Sequence, residues 1–180
     1  MRLSPLIVML CFVALVNDTW AQGGMLPVKA ASEPSYPPLS IVDEDGNASG
    51  FAVELLREAL SVVGRDVSFE VGQWSVIRQQ LVDGKVEVLP LVGRTPEREA
   101  VYDFTFPYLM LRGAIFVRAD NDNVRSIDDL TGVTIAVMEG DNAHEYVVRE
   151  KLGRLVVTTP DFKMALKGLA AGEYDAVVMQ

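Results

Sequence analysis

Apolar positions along this chain fall into three kinds of stretch: one unbroken run near the start, short β-branched runs, and segments in which apolar residues return every three or four positions. From Leu26 onward the last two kinds alternate, which is the pattern of an α/β sheet rather than of a sandwich or a helical bundle. Strands are expected at Pro27 to Ala30, Leu39 to Val42, Val67 to Val71, Val86 to Val92 and Ala114 to Arg118. A first helix is expected from Gly50 to Val63, with Val53, Leu56, Leu60 and Val63 on one stripe and Gly64 as its stop. A second follows from Trp74 through Ile77 and Leu81 to Gly84. Thr95-Pro96-Glu97-Arg98 reads as a short helix start, with Thr95 as N-cap and Pro96 where its missing N–H costs nothing.

The polar run Ala119 to Asn123 is read as a connector between two lobes, residues 26 to 118 and residues 124 to 180. Beyond it come a helical turn at Ser126 to Leu130, strands at Val133 to Met138, Leu155 to Thr158 and Asp175 to Met179, and helices at Asn142 to Leu152 and Asp161 to Ala171. The apolar run at the end has no terminator, so the second lobe is expected to be incomplete and the chain to be a fragment.

The unbroken run changes the picture for the first 21 residues. Met1-Arg2 gives a positive start, Leu6 to Val16 is apolar over 11 residues, and Thr19-Trp20-Ala21 places small residues, Thr19 and Ala21, at the two positions a signal peptidase reads. Spanning a bilayer takes about 20 residues, so the segment is expected to be a signal peptide exporting the chain to the periplasm. Its removal takes away one Arg, one Asp and the single Cys.

Charge then excludes partners. Lys and Arg number 16 against 25 Asp and Glu, a formal charge of −9, which repels phosphate backbones and argues against nucleic acid. One His and one Cys leave no cluster for zinc or copper, and Asp43-Glu44-Asp45-Gly46-Asn47 is too short for a twelve-residue calcium loop. No cofactor is expected, for no glycine-rich phosphate loop is present. His144 has no Ser or Cys motif to form a triad with, and it reads as a surface residue of its helix rather than a base.

Two helix starts carry the candidate chemistry. After Leu89 to Gly93, the capped start at Thr95 presents unpaired N–H groups beside Arg98, an ensemble suited to a carboxylate or similar planar anion. A solvated start with Arg98 paired to a nearby acid is the alternative. After Met138, Glu139-Gly140-Asp141-Asn142 opens a second helix, with Asp141 or Asn142 as cap. Ligands of open α/β sheets sit outside the carboxyl ends of the strands, where both starts fall. Tyr36 and Trp74 lie at loop edges and can flank a ligand, although Trp74 is also on the apolar stripe of its helix.

These residues resemble the family 3 extracytoplasmic solute-binding proteins. The likeness is carried by Tyr36-Pro37-Pro38-Leu39-Ser40, Gly50-Phe51-Ala52-Val53-Glu54-Leu55, and Thr95-Pro96-Glu97-Arg98 with Asp103-Phe104-Thr105-Phe106-Pro107-Tyr108. Ser126-Ile127-Asp128-Asp129-Leu130-Thr131-Gly132 and Val137-Met138-Glu139-Gly140 extend it to nearly everything from Pro27 to Gln180. It implies an α/β, two-lobed periplasmic-binding-protein-like (type II) fold that closes on a ligand, here without the second crossover back to lobe 1. By the same likeness Arg98 grips a carboxylate, Tyr36 and Trp74 flank the side chain, Asn142 bonds the carboxylate, and Glu33 faces a basic side chain. Leu91 and Gly93 stand where hydroxyl residues help bind the ligand, and Gln180 where an Asp meets the ammonium. A neutral amide cannot neutralise an ammonium, so the ligand is expected to be a small carboxylate, or an amino acid whose ammonium meets Asp141 or Glu33.

The wording around Leu89 to Arg98 and Phe104 to Tyr108 looks most like members fused to membrane signalling proteins, which implies a sensor input with downstream signalling domains. A free receptor for the permease of an amino-acid transporter is the alternative. Enzymes of similar fold, cyclohexadienyl dehydratases and the leading domain of some lytic transglycosylases, form the competing class. No carboxylate pair or nucleophile with a base stands out, so the chain is expected not to be an enzyme.

Overall fold

The computed structural model describes residues 25–180, and the expected signal segment lies outside them. Strand β1 (Val28–Ser32) buries every residue but Lys29, and it pairs in parallel with β5 (Val67–Val71), Val28 against Val67 through Ser32 against Val71. A parallel pair needs a crossover. Here it consists of three short antiparallel strands, β2 (Ser35–Tyr36), β3 (Ser40–Val42) and β4 (Ala48–Ser49), followed by helix α1 (Phe51–Val62). Asp43 closes the turn between β3 and β4 by accepting the N–H groups of Asp45 and Asn47 at 3.0 and 2.7 Å. Helix α1 buries Ala52 and Val53, with Leu56 and Leu60 half-covered, while Val63 falls past its end and is exposed.

Helix α2 (Trp74–Val82) lays Trp74 and Ile77 against the sheet, as its spacing predicts. The strand expected at Val86 to Val92 does not form. Ala31 N–H reaches the Val88 carbonyl and Glu87 N–H the Lys29 carbonyl, and pairing then stops at a single bridge between Ala30 and Val88. Pro90 has no N–H to continue a ladder, and the apolar run that follows turns away to line a cavity. Helix α3 (Pro96–Glu99) is capped by Thr95, whose hydroxyl accepts from Arg98 N–H.

A second sheet holds β6 (Ala114–Phe116), β7 (Thr134–Met138), β8 (Leu155–Thr159) and β9 (Ala176–Met179) in the order β6-β9-β7-β8. Strand β6 runs antiparallel to β9, and β7 is parallel to both of its neighbours. This corrects the expected boundary: Ala114 to Phe116 belongs to the second sheet, and the chain passes between sheets in the irregular stretch 100–113. The polar run Ala119 to Asn123 is a turn at the rim of that sheet, where Asn121 donates to the Asp175 carbonyl at 3.2 Å. Its polarity reflects exposure to water and not a junction of lobes.

Helices α4 (Asn142–Arg149) and α5 (Phe162–Ala171) cover the second sheet, each capped by the Asp before it, and the expected helical turn is a 3-10 turn at Asp128–Gly132. Leu130, Ile135, Val137 and Val147 form a core there, while a different cluster joins the two sheets, placing Ala31, Trp74, Ile77 and Val86 against Met138 and Phe162.

Candidate functional site

A cavity of about 780 Å³ lies where the two sheets meet. Glu33 comes to it from the end of β1, Tyr36 from β2, Trp74 from the start of α2, Gly93 and Arg98 from the α3 entry, and Asp141 and Asn142 from the start of α4. Gln180, after β9, also lines it. Of the expected ligand-binding residues, Thr95 is held out of the lining; its hydroxyl caps α3 and donates to Glu145 Oε2 at 2.9 Å.

Arg98 is 3% exposed and sits over the Trp74 ring, its Cζ 5.3 Å from the ring centroid. Its Nε donates to Glu145 Oε1, one Nη to the Gly93 carbonyl and the other to the Gly140 carbonyl, each at 3.0 Å. A guanidinium has five N–H groups, so one remains on each terminal nitrogen, which is the number a bidentate carboxylate takes. Arg98 is therefore buried, paired with an acid and still short of acceptors. Trp74, 5% exposed, donates Nε1–H to the same Gly140 carbonyl at 2.8 Å, so its ring supports Arg98 and the core more than it faces the cavity.

The carboxyl groups of Glu33 and Asp141 line the same cavity. Burial pushes the Glu33 carboxyl up to about 7, and the nearby Asp141 charge adds to the shift. Burial also raises Asp141, against the lowering effects of the Ala143 and Asn142 N–H groups and of Arg98. Asn142 gives its Nδ2–H to Gln180 Oε1 at 2.6 Å, and its Oδ1 is buried without a partner among the described residues. Gln180 also reaches the Leu111 carbonyl, so both ends of its amide are engaged. Tyr36, pushed up to about 12 by burial and then by Asp141 and Glu33, donates to the Gln180 carbonyl at 2.7 Å.

Gly93 lies close to the α4 start: a Cβ there would be 2.9 Å from Asn142 Nδ2, so that amide would have to shift. Gly140 turns with φ +70°, its N–H donating to His144 Nδ1 at 3.2 Å. Sequence reasoning missed Glu145, Arg78 and Phe162. Arg78 donates to Glu145 Oε1 at 2.8 Å, and the Phe162 ring lies 5.7 Å from that of Tyr36. Arg78 stands one helical turn after Trp74 on the same face of α2, the only signal in the sequence for its position. Among the described residues no three His, Cys, Asp or Glu side chains gather as metal ligands, and no helix is long and apolar enough to cross a membrane.

Residues 28–151 match the bacterial extracellular solute-binding proteins, family 3. The chain is 31% identical over 150 residues to the amino-acid-binding protein AabA of Dichelobacter nodosus, covering 81% of this chain and 58% of that protein. It thus spans less than two thirds of that relative's length. A histidine kinase sensor domain with similarity to periplasmic binding proteins superposes with a TM-score of 0.80 at 33% identity, covering 86% of this chain and 68% of the other. An ancestral arginine-binding protein bound to arginine superposes with a TM-score of 0.77 at 29% identity, covering 87% and 70%.

Proposed function

Because the chain belongs to the bacterial extracellular solute-binding proteins, family 3, we propose that its cleft takes up a free amino acid outside the cytoplasm and closes on it. Arg98 holds the α-carboxylate with the two N–H groups that the protein leaves undonated. Asp141 and Asn142 Oδ1 receive the ammonium, and Glu33 favours a cationic side chain lying beside Tyr36 and Phe162. The observation that carries this reading is the polarity of the cleft: a buried cation with N–H groups to give, and beside it the buried Asp141, the half-buried Glu33 and the partnerless Asn142 Oδ1, neither carboxyl being in a salt bridge among the described residues. A plain carboxylic acid would leave those acceptors unpaired, at the cost that buried polar groups without partners carry.

Closure follows from the placing of these groups. Arg98, Glu33 and Tyr36 belong to the part of the chain before β6, while Asp141 and Asn142 follow β7 in the four-stranded sheet, so on this reading only the closed form touches a ligand from both sides. A ligand with that preference shifts the population toward closure. We assign the movement to a sensor input that passes it to signalling domains, a reading supported by the 33% identity to a histidine kinase sensor domain. The likeness to AabA supports a second reading, delivery of the amino acid to a membrane permease.

Calorimetric titration with the twenty amino acids and with plain carboxylic acids tests the ligand class. Cationic amino acids are expected to bind, with the affinity falling at least tenfold in both Asp141→Asn and Glu33→Gln, about the effect of removing one charged partner. Tight amino-acid binding that neither substitution weakens would remove this assignment of the ammonium.

A further inference from the structure

Glu145 Oε1 accepts from Arg98 Nε at 3.0 Å and from Arg78 Nη1 at 2.8 Å, while Oε2 accepts from Thr95 Oγ1 at 2.9 Å. One carboxylate, 16% exposed, is thus shared between two guanidinium groups. Arg78 comes from α2, and its Nη1 also donates to the Gly140 carbonyl at 3.0 Å. Its guanidinium lies against Gly140, where a Cβ would be 3.4 Å from Arg78 Cζ.

Counting charge shows what Arg78 does. Arg98 and Glu145 alone would make a neutral pair, and a second carboxylate brought to Arg98 would meet the repulsion of Glu145 and of Asp141, whose carboxyl feels both Arg98 and Glu145. We propose that Arg78 is a specificity-determining residue of the cleft: by sharing Glu145 with Arg98 it leaves the three side chains with one net positive charge, and so lets Arg98 accept a carboxylate ligand. Arg78 does not line the cavity and acts through Glu145, which makes it a positioning residue rather than a contact. The inference rests on the reading of Arg98 as the carboxylate holder.

The test uses acetate, a carboxylate without an ammonium, at constant ionic strength kept with sodium chloride. The Nε–H signal of Arg98 in a 1H–15N spectrum, assigned by its loss in Arg98→Lys, should shift saturably in the unaltered chain. In Arg78→Gln the acetate dissociation constant should rise about tenfold, and Arg78→Lys, which restores charge, should bring back most of the affinity. In Glu145→Gln the affinity should increase, because the carboxylate that offsets the charge of Arg98 is then gone. Damage to the fold cannot imitate that gain. Equal acetate affinity in Arg78→Gln, weakening in both Arg78→Gln and Glu145→Gln, or no saturable shift in the unaltered chain would overturn the proposal. Acetate behaving as stated while every amino acid stays silent in calorimetry would remove the amino-acid reading and leave this one standing.

Discussion

Glu33 and Asp141 face one cavity, and both carboxyl groups are shifted upward by burial. A carboxyl that titrates higher in the folded state than in the unfolded one adds stability that is complete below the unfolded value and is lost as pH rises through the folded value. For Glu33 that window runs from 4.5 to about 7. The free chain should therefore melt at a lower temperature at pH 8 than at pH 5 through this group, and Glu33→Gln should flatten that part of the profile in a thermal scan. A steep fall that persists in the variant would place its cause elsewhere. Binding of a cationic amino acid near neutral pH should release protons, seen as a dependence of the binding heat on the buffer's ionisation enthalpy. At this scale the sequence was informative where a residue acts beside its own motif: Arg98 with Thr95, Asp141 as cap, and Tyr36 at its loop edge. Glu145 and Arg78 were not legible, since their bond joins positions 67 apart and exists only once α2 lies against α4.

Helix starts are the elements that build the site. The α4 start is reached through Gly140, whose φ of +70° costs an L side chain roughly 1–2 kcal/mol in backbone alone. Gly140→Ala should lower stability by at least that amount in chemical denaturation, with the new Cβ meeting Arg78 Cζ at an ordinary contact distance of 3.4 Å. Asp161 caps α5 through Met164 N–H at 2.7 Å and does not line the cavity, so Asp161→Ala should cost about 1 kcal/mol in denaturant with a smaller effect on ligand affinity. Most elements follow the periodicity of the sequence, because a single face of each is buried. The exception is Val86 to Val92, whose apolar residues mimic a buried strand but line the cavity after Pro90, and run length alone does not distinguish the two.

Across the whole molecule, the two sheets are joined by a cluster that runs from Trp74 and Ile77 to Met138 and Phe162, directly behind the site. Ile77, 2% exposed, should cost about 2–5 kcal/mol when replaced by Ala, and because it packs behind Trp74, ligand affinity should fall with stability. The same replacement of Leu130, fully buried in the core of the second sheet, should cost as much with a smaller effect on affinity. The alternation of strands and helices made the α/β class readable at this scale. The sheet to which β6 belongs was not, because pairing with β9 across more than 60 residues leaves no local mark. The most direct measurement is a crystal structure of the chain with the cationic amino acid that binds most tightly in calorimetry. It should place the ligand carboxylate on the two terminal nitrogens of Arg98, the ammonium against Asp141 and Asn142 Oδ1, and the cationic side chain toward Glu33. A carboxylate bound away from Arg98, or an ammonium that meets Gln180 while Asp141 stays unpaired, would contradict it.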